Sequence, residues 1–311
     1  MTSPGSRVQG PTARLQHAAS ERALPRLEVG PRTPDFRALA LYALLIGASL
    51  AVAFPLLIAL SYSFTPERDI SSFPPPILPG RPTLANFQEI VDRALRPNSP
   101  LPIFRYLVNS FVVAVAVVVG QLVTASLAAY AFAFLAFRGK NLLFLVFLAT
   151  FMVPWEATII PNYITIRDLA WIDTYQGLAV PFMATGFGTF LLRQSFLQLP
   201  RELYDAALVD GAGKFRFLWA ILLPLSRPAL GTLSVYSFLA TWNQYFWPLL
   251  VTNQPAMRTV QVGIAQLKFE ETTRWGLVMA GVVMVVIPTI LLLVVGQRQL
   301  VRGLTAGAIK G

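Results

Sequence analysis

The chain has 311 residues, of which 55% are hydrophobic and 13% charged, and its mean hydropathy is +0.59. A soluble domain carries about 25% charged residues, so this composition argues against a protein surrounded by water and favours a membrane protein. The net charge is +10, but the chain lacks the ordinary polar surface that accompanies such a charge in a nucleic-acid binder. The chain has no Cys and a single His, His17, which excludes metal sites built from Cys or from a cluster of His.

Stretches without charge divide the chain into candidate membrane-spanning helices. A bilayer core about 30 Å thick needs roughly 20 mostly apolar helical residues. Five stretches contain no Asp, Glu, Lys or Arg, and a sixth, 141–166, contains only Glu156. The sequence therefore predicts an all-α polytopic membrane protein with six transmembrane helices. Their expected bounds are about 39–63, 107–134, 142–161, 177–197, 229–250 and 276–296.

The segments outside these helices predict the orientation. Residues 1–35 are rich in Pro, Gly, Ser and Arg and predict a disordered cytoplasmic tail before a six-helix domain at 36–311. Six spans put both termini on one side, and 16 of the 25 Lys and Arg residues lie on that side. The positive-inside rule then places both termini in the cytoplasm. The positive charge faces anionic membrane lipids, so the sequence predicts no nucleic-acid partner.

One long cytoplasmic connection, residues 200–228, joins the fourth and fifth predicted helices and is called the connector below. A helix-compatible stretch, 201–209, is followed by Gly211 and Gly213, and a second apolar stretch then ends at Pro224. This pattern predicts a short helix, a glycine turn and a second helix on the membrane face. A plain interfacial segment that only re-enters the bilayer is the alternative.

The connector resembles the EAA loop of importer-type ABC transporter permeases, whose pattern is Glu-Ala-Ala, three residues, Gly, and nine residues later Ile-x-Leu-Pro. Asp205 stands where the family usually has Glu, so the carboxylate is kept on a shorter arm and a salt bridge to the ATPase could pass to Glu202. The resemblance implies that an ATPase-coupling loop is formed by Glu202, Asp205, Ala206, Ala207, Asp210, Gly211, Ala212, Ile221, Leu223 and Pro224.

Other segments extend the resemblance over about residues 40–311. Met183–Pro200, Trp242–Leu250 and Arg302–Gly311 are similar to the maltose and glycerol-phosphate branch of these permeases. The resemblance implies a type I ABC importer permease fold with a cytoplasmic coupling helix, in the bacterial cytoplasmic (inner) membrane. It leaves the solute open between a sugar or oligosaccharide and sn-glycerol-3-phosphate.

The chain is expected to be a transport subunit and not an enzyme. Gly211–Lys214 is the nearest match to a phosphate-binding loop, but Leu208 and Phe215 stand where that motif needs Gly and Ser or Thr. No cofactor is therefore expected in this chain, and the resemblance implies that a homodimeric ABC ATPase binds ATP and Mg²⁺. It also implies a second homologous permease and an extracytoplasmic solute-binding protein, for which the outer loop 66–102 is the expected docking surface.

Polar residues inside apolar spans are candidates for the solute pathway, because unpaired polarity in lipid is costly and tends to face a cavity or a neighbouring helix. Glu156 is either an acceptor for sugar hydroxyls, a carboxylate bonded to a neighbouring helix, or a group near the outer interface. Trp and Tyr near span ends are also common interface anchors. The candidates are Asn109, Glu156, Thr185, Trp242, Asn243, Gln244 and Tyr245.

The residues alone leave two other function classes open. A membrane enzyme acting on head groups would need clustered Asp, His or Lys at one membrane face, and the connector is the only such cluster. A secondary, ion-gradient-driven transporter would be expected to show inverted repeats and several intramembrane ionisable residues. The span cores contain no Lys or Arg, which favours a neutral sugar over a phosphorylated solute.

Overall fold

The computed structural model of the protein describes residues 36–95, 102–270 and 274–305, and the regular elements in those ranges are helices. The expected tail, 1–35, lies outside the described residues. The described residues divide into two units between 54 and 55, and α1 contributes residues to both. The helices are α1 Phe36–Ser63, α2 Glu67–Ile70, α3 Ala85–Leu95, α4 Ile103–Phe134, α5 Lys140–Phe151, α6 Trp155–Asp168, α7 Tyr175–Ala179, α8 Gly186–Leu197, α9 Glu202–Val209, α10 Lys214–Leu225, α11 Arg227–Trp242, α12 Phe246–Val251, α13 Val260–Glu270 and α14 Trp275–Thr305.

Three helices are long and apolar enough to cross a bilayer on their own: Leu39–Ser63 within α1, Ile103–Phe134, which is α4, and Trp275–Gln297 within α14. Two further candidates are bent pairs, α5 with α6 at 90° and α10 with α11 at 80°. The described residues therefore hold three to five candidate spans. The first, second and sixth predicted helices are confirmed as continuous helices.

The other three predicted helices, 142–161, 177–197 and 229–250, are each interrupted by a short non-helical segment. The break between α5 and α6 is at 152–154, where Pro154 has no N–H and disfavours helical geometry in the residue before it. The break between α11 and α12 is at 243–245. Pro248 explains it, because in a continuous helix its ring would clash with the carbonyl of Gln244.

The break at 183–185 has a different cause. It separates a short 3₁₀ turn, Val180–Phe182, from α8, and no proline lies four residues beyond it. Thr185 has an extended backbone, and the carbonyls of Phe182 and Met183 accept hydrogen bonds from side chains of α4. Contacts with a neighbouring helix therefore stabilise this break, and the local sequence does not dictate it.

The long helix α4 is central to the packing of the second unit. It lies along α8 and α11, and α11 in turn lies along α14, while α13 contacts both α4 and α14. The approach of α13 to α4 depends on Gly263, where a Cβ atom would lie 2.2 Å from a ring carbon of Tyr106. The Tyr106 ring is buried and fills the space that a larger side chain at this position would need.

We expect Gly263→Ala to lower the free energy of unfolding by about 1–3 kcal/mol, because the added methyl group overpacks the contact with Tyr106. Gly47→Ala is the matched control, since Gly47 is also helical and no atom lies within 4 Å of the added Cβ. The measurement is the Tm of the purified chain in detergent. A Gly263→Ala protein at least as stable as the control would contradict this account of the packing.

Candidate functional site

The connector folds as two helices, α9 and α10, joined by a left-handed glycine turn. Gly211 has a φ of +76°. The Gly211 N–H donates to the Leu208 carbonyl at 3.0 Å, and the Ala212 N–H donates to the Ala207 carbonyl at 2.8 Å. This is a Schellman motif, in which glycine adopts a conformation that strains residues with a Cβ atom. The predicted helix, glycine turn and second helix are therefore present.

The inner face of the connector packs against the ends of α4, α8 and α11. Tyr204 and Phe217 meet edge to face at 4.9 Å, and both rings contact Phe134 of α4, at 5.4 and 5.3 Å. One buried cluster joins the connector to the three helices and includes Ala207, Phe217, Leu218, Leu222, Ala129, Ala133, Leu192, Phe196 and Leu233. Because these side chains are closely packed, a displacement of the connector would move the helix ends with it.

The outer face of the connector presents acidic and apolar side chains together. Glu202, Asp205 and Asp210 are exposed, and none forms an ion pair with another residue of the described ranges. Val209 is 88% exposed and Phe215 is 69% exposed. Carboxylates beside exposed apolar groups suit contact with a basic, partly apolar protein surface.

The remaining residues of the predicted coupling loop divide between the two faces of the connector. Ala206, Gly211 and Pro224 are exposed. The other four, Ala207, Ala212, Ile221 and Leu223, belong to the packed cluster or lie against it. The sequence pattern thus contains both the exposed surface and the packing that anchors it.

The three helix breaks, at 152–154, 183–185 and 243–245, lie close together. Aromatic rings join the elements on either side of the breaks, and neighbouring ring centroids are 4.5 to 6.4 Å apart. The rings are Phe151, Phe187 and Tyr236 on the connector side, and Trp155, Phe182 and Trp247 on the far side. At membrane depth, non-helical backbone is tolerated where it is buried in protein or lines a water-filled cavity. The breaks are therefore the second part of the candidate site.

Gln121, midway along α4, ties these elements together. Its Nε2 donates to the carbonyl of Phe182 at 2.7 Å, and its Oε1 accepts a hydrogen bond from the Ser237 hydroxyl of α11. The Thr124 hydroxyl, one turn further along α4, donates to the carbonyl of Met183 at 2.7 Å. Gln121 was not among the predicted pathway residues, although an amide inside a charge-free run is a signal for an interhelical contact.

Five of the seven predicted solute-pathway residues lie at the breaks or beside them: Glu156, Thr185, Asn243, Gln244 and Tyr245. Glu156 is exposed in the first turn of α6, where unpaired N–H groups favour a negative charge. The Asn243 side chain is exposed, and its Oδ1 accepts from Gln261 of α13 at 3.5 Å. Polar side chains are thus gathered where the helices are discontinuous.

Asn109 and Trp242, the other two predicted pathway residues, are buried in the packing. Asn109 is 1% exposed, and its amide donates to the carbonyls of Ala256 and Arg258 at 2.9 Å each while its oxygen accepts from a hydroxyl of α7. The Trp242 ring is buried and stacks on Phe238 at 5.6 Å. Neither side chain presents a surface to a solute in this structure.

Two carboxylates stabilise the end of the helix bundle that is remote from the connector. Glu67 accepts from the N–H groups of the first two residues of α14, at 3.0 and 2.8 Å, where the helix dipole favours an anion. Glu89 of α3 accepts from Arg93 at 2.7 Å and from Arg274 at 2.6 Å. The Arg274 guanidinium, with help from Arg93, lowers the pKa of Glu89 to about 2 despite partial burial.

Comparison with known protein families matches residues 121–305 to the family described as binding-protein-dependent transport system inner membrane component. That range contains the connector, all three breaks and Gln121, whose side chain links α4 to the break at 183–185 and to α11. The family match therefore covers both parts of the candidate site.

Individual relatives match over most of their length. The sn-glycerol-3-phosphate transport system permease protein UgpE of Agrobacterium fabrum is 40% identical over 273 residues, which cover 87% of this chain and 96% of the relative. UgpE of Yersinia enterocolitica is 38% identical over 85% of this chain and 94% of the relative.

Two solved structures have the same fold. A crystal structure of a bacterial ABC transporter involved in importing the acidic polysaccharide alginate matches with a TM-score of 0.72 and 21% identity, over 94% of this chain and 99% of that chain. A bacterial alginate ABC transporter in complex with a periplasmic protein bound to alginate pentasaccharide matches with a TM-score of 0.58 and 14% identity, over 87% and 96% of the two chains. The described helices therefore adopt the ABC importer permease fold.

The Glu89 contact predicts an acid-dependent stability. Because the pKa of Glu89 falls from its ordinary value of 4.5 to about 2 on folding, its stabilising contribution is complete above about pH 5 and is lost as the pH falls toward 2. Glu89→Gln should remove this dependence, which we expect to be of the order of 1–3 kcal/mol. Asp92→Asn, on the exposed side of the same helix, is the control. Parallel acid unfolding curves for the wild type and Glu89→Gln would contradict the prediction.

Proposed function

The chain belongs to the family of binding-protein-dependent transport system inner membrane components, and from that membership we propose that its connector transmits the motion of a separate ATPase to a solute path at the three helix breaks. As a family member it is a permease subunit of an ABC importer, a transport component and not an enzyme. The alternatives of a membrane enzyme and of an ion-gradient-driven transporter are therefore set aside.

The two faces of the connector support the coupling role. The outer face would enter a cleft of a homodimeric ATPase, which would bind ATP and Mg²⁺, and basic side chains there would pair with Glu202 or Asp205. The inner face is packed on α4, α8 and α11. Closure of the ATPase on ATP would therefore move the ends of these helices, because the Schellman turn at Gly211 and the aromatic contacts hold the connector as one body.

We propose six spans, in which three crossings are composite. α5 and α8 each have 12 residues, about 18 Å of helix, whereas the bilayer core is about 30 Å thick. α5 would be completed by α6, α8 by the segment from α7 to the 3₁₀ turn, and α11 by α12. Together with α1, α4 and α14, these composite crossings make six spans of the inner membrane. Both termini and the connector then lie on the cytoplasmic side. The coupling element would be α9 and the start of α10.

The helix breaks would form one wall of the solute path. Thr185, Asn243, Gln244 and Tyr245 provide hydrogen-bonding groups there, with Glu156 at the start of α6. A second homologous permease would form the opposite wall. An extracytoplasmic binding protein would deliver the solute to the outer loop 66–102, whose described part is held to the bundle by the carboxylates of Glu67 and Glu89.

We propose a glycerol phosphate, and sn-glycerol-3-phosphate first, as the solute. The support is that relatives matching most of this chain are named as sn-glycerol-3-phosphate permeases. A neutral sugar or oligosaccharide is the second candidate, because the three breaks contain no Lys or Arg and Glu156 is acidic.

Gly211→Val should impair coupling, because a β-branched residue is strained at a φ of +76°. Strain of 1–2 kcal/mol shifts the population of the native turn by about tenfold, so solute uptake and ATP hydrolysis stimulated by the binding protein should fall by up to that factor. Gly213→Val is the matched control, since Gly213 has a φ of −66° and open space around its Cβ position. Both activities are measured on the assembled complex in proteoliposomes. Equal coupling by the two variants, at equal assembly, would contradict the proposal.

The solute proposal predicts that cells lacking other uptake routes take up labelled sn-glycerol-3-phosphate only when this chain is present. Unlabelled glycerol phosphates should compete for uptake, because they share the phosphate and the glycerol hydroxyls, and maltose should not. Uptake of labelled maltose, with no uptake of labelled sn-glycerol-3-phosphate, would favour the second candidate instead.

A further inference from the structure

A cavity of about 470 Å³ opens on the connector side of the bundle, between the end of α4, the start of α5 and the start of the connector. Its wall includes Phe137, Gly139, Asn141 and Leu142, together with the charged side chains of Lys140 and Arg201. Neither the coupling contact nor the solute path uses this cavity.

Positive charge is concentrated at the cavity. Arg193 and Arg201 both lie within electrostatic reach of the Lys140 ammonium group. Lys140 donates two hydrogen bonds, to the carbonyls of Ala133 and Leu135 at 3.0 Å each, which leaves its third N–H available. Within the described ranges, no carboxylate forms an ion pair with any of the three cations. An anion from outside the chain would therefore relieve their mutual repulsion.

The start of α5 adds backbone donors to the same cavity. α5 begins after Gly139, which has a φ of +76°, and no side chain caps its first turn. The residues of that turn that line the cavity are Lys140, Asn141 and Leu142. Uncapped N–H groups at a helix N-terminus bind anions, phosphate in particular. The cavity thus combines backbone donors with two cationic side chains.

An apolar surface continues from the cavity along α5. Leu142, in the cavity wall, is 66% exposed, and Leu145, one turn further along, is 64% exposed. α5 belongs to one of the bent pairs that are apolar enough to cross a bilayer. Cations and N–H groups therefore lie at the start of α5, and an exposed aliphatic surface follows along the helix. This arrangement matches a phospholipid whose headgroup lies at the membrane face.

We propose that this cavity binds the phosphate headgroup of an anionic phospholipid, with Lys140, Arg201 and the first turn of α5 as its ligands and the acyl chains along α5. The aliphatic surface favours a lipid over an acidic segment of the ATPase, which would need no apolar wall. The inference rests on the proposed membrane crossing by α5 and α6. It is independent of the coupling role of Gly211 and of the identity of the solute.

The test uses the purified full-length chain and native mass spectrometry, with phosphatidylglycerol, phosphatidylcholine or inorganic phosphate added. We expect retention of phosphatidylglycerol over phosphatidylcholine. Lys140→Gln with Arg201→Gln should weaken that retention on the order of ten- to thirtyfold, since each cation near the membrane surface contributes a comparable attraction. Arg68→Gln with Arg81→Gln removes the same charge from exposed positions elsewhere and should leave retention unchanged.

Two further variants keep the test decisive if the double variant folds poorly. Arg201→Gln alone changes an exposed side chain and should still reduce retention severalfold. Lys140→Arg with Arg201→Lys keeps both charges and should retain the lipid. Three results would each overturn the proposal. They are equal retention of the two lipids, binding of inorganic phosphate alone, and loss of phosphatidylglycerol when the ATPase is added. None of these results would affect the outcome of the Gly211 experiment.

Discussion

Inside a bilayer, a backbone carbonyl released from a helix has no water to bond with, and at the break at 183–185 this structure meets that constraint through Gln121 and Thr124. The Gln121 amide donates to the freed carbonyl of Phe182 and accepts from Ser237, so that α4, the break before α8 and α11 share one hydrogen-bonded node. The Thr124 hydroxyl donates a hydrogen bond to the next freed carbonyl, that of Met183. The break at 183–185 can lie at membrane depth because these bonds replace ones that the break removes.

The helices that meet at this node are also the helices that carry the connector. The connector side of α4 packs against Tyr204 and Phe217, and α8 and α11 contribute to the same buried cluster. A push on the connector would therefore reach Gln121 through side chains that are already in contact. Close-packed interiors transmit such displacements instead of absorbing them. This continuity connects the proposed site of ATPase contact to the proposed solute path.

The sequence was most informative where a rule acts locally. Runs without charge predicted the long helices, Gly211 predicted the turn, and the spacing around it predicted the connector. Pro154 and Pro248 are a local signal for two of the breaks, and they predict a kink there, but they do not reveal that the helix stops and restarts. The third break could not be predicted, because it depends on hydrogen bonds from a different helix. Asn109 shows the same limit, since an isolated polar residue in a span does not reveal whether it faces a cavity or a neighbouring backbone.

A double-mutant cycle on Gln121 and Ser237 tests the central claim most directly. The quantity to measure is solute transported per ATP hydrolysed by the assembled complex, for Gln121→Leu, Ser237→Ala and both together. If the node links the breaks to α11, each single variant lowers this ratio, and the double variant is no worse than the more severe single one, because both remove the same bond. Ratios that are unchanged in the single variants, or losses that multiply in the double variant, would contradict the account.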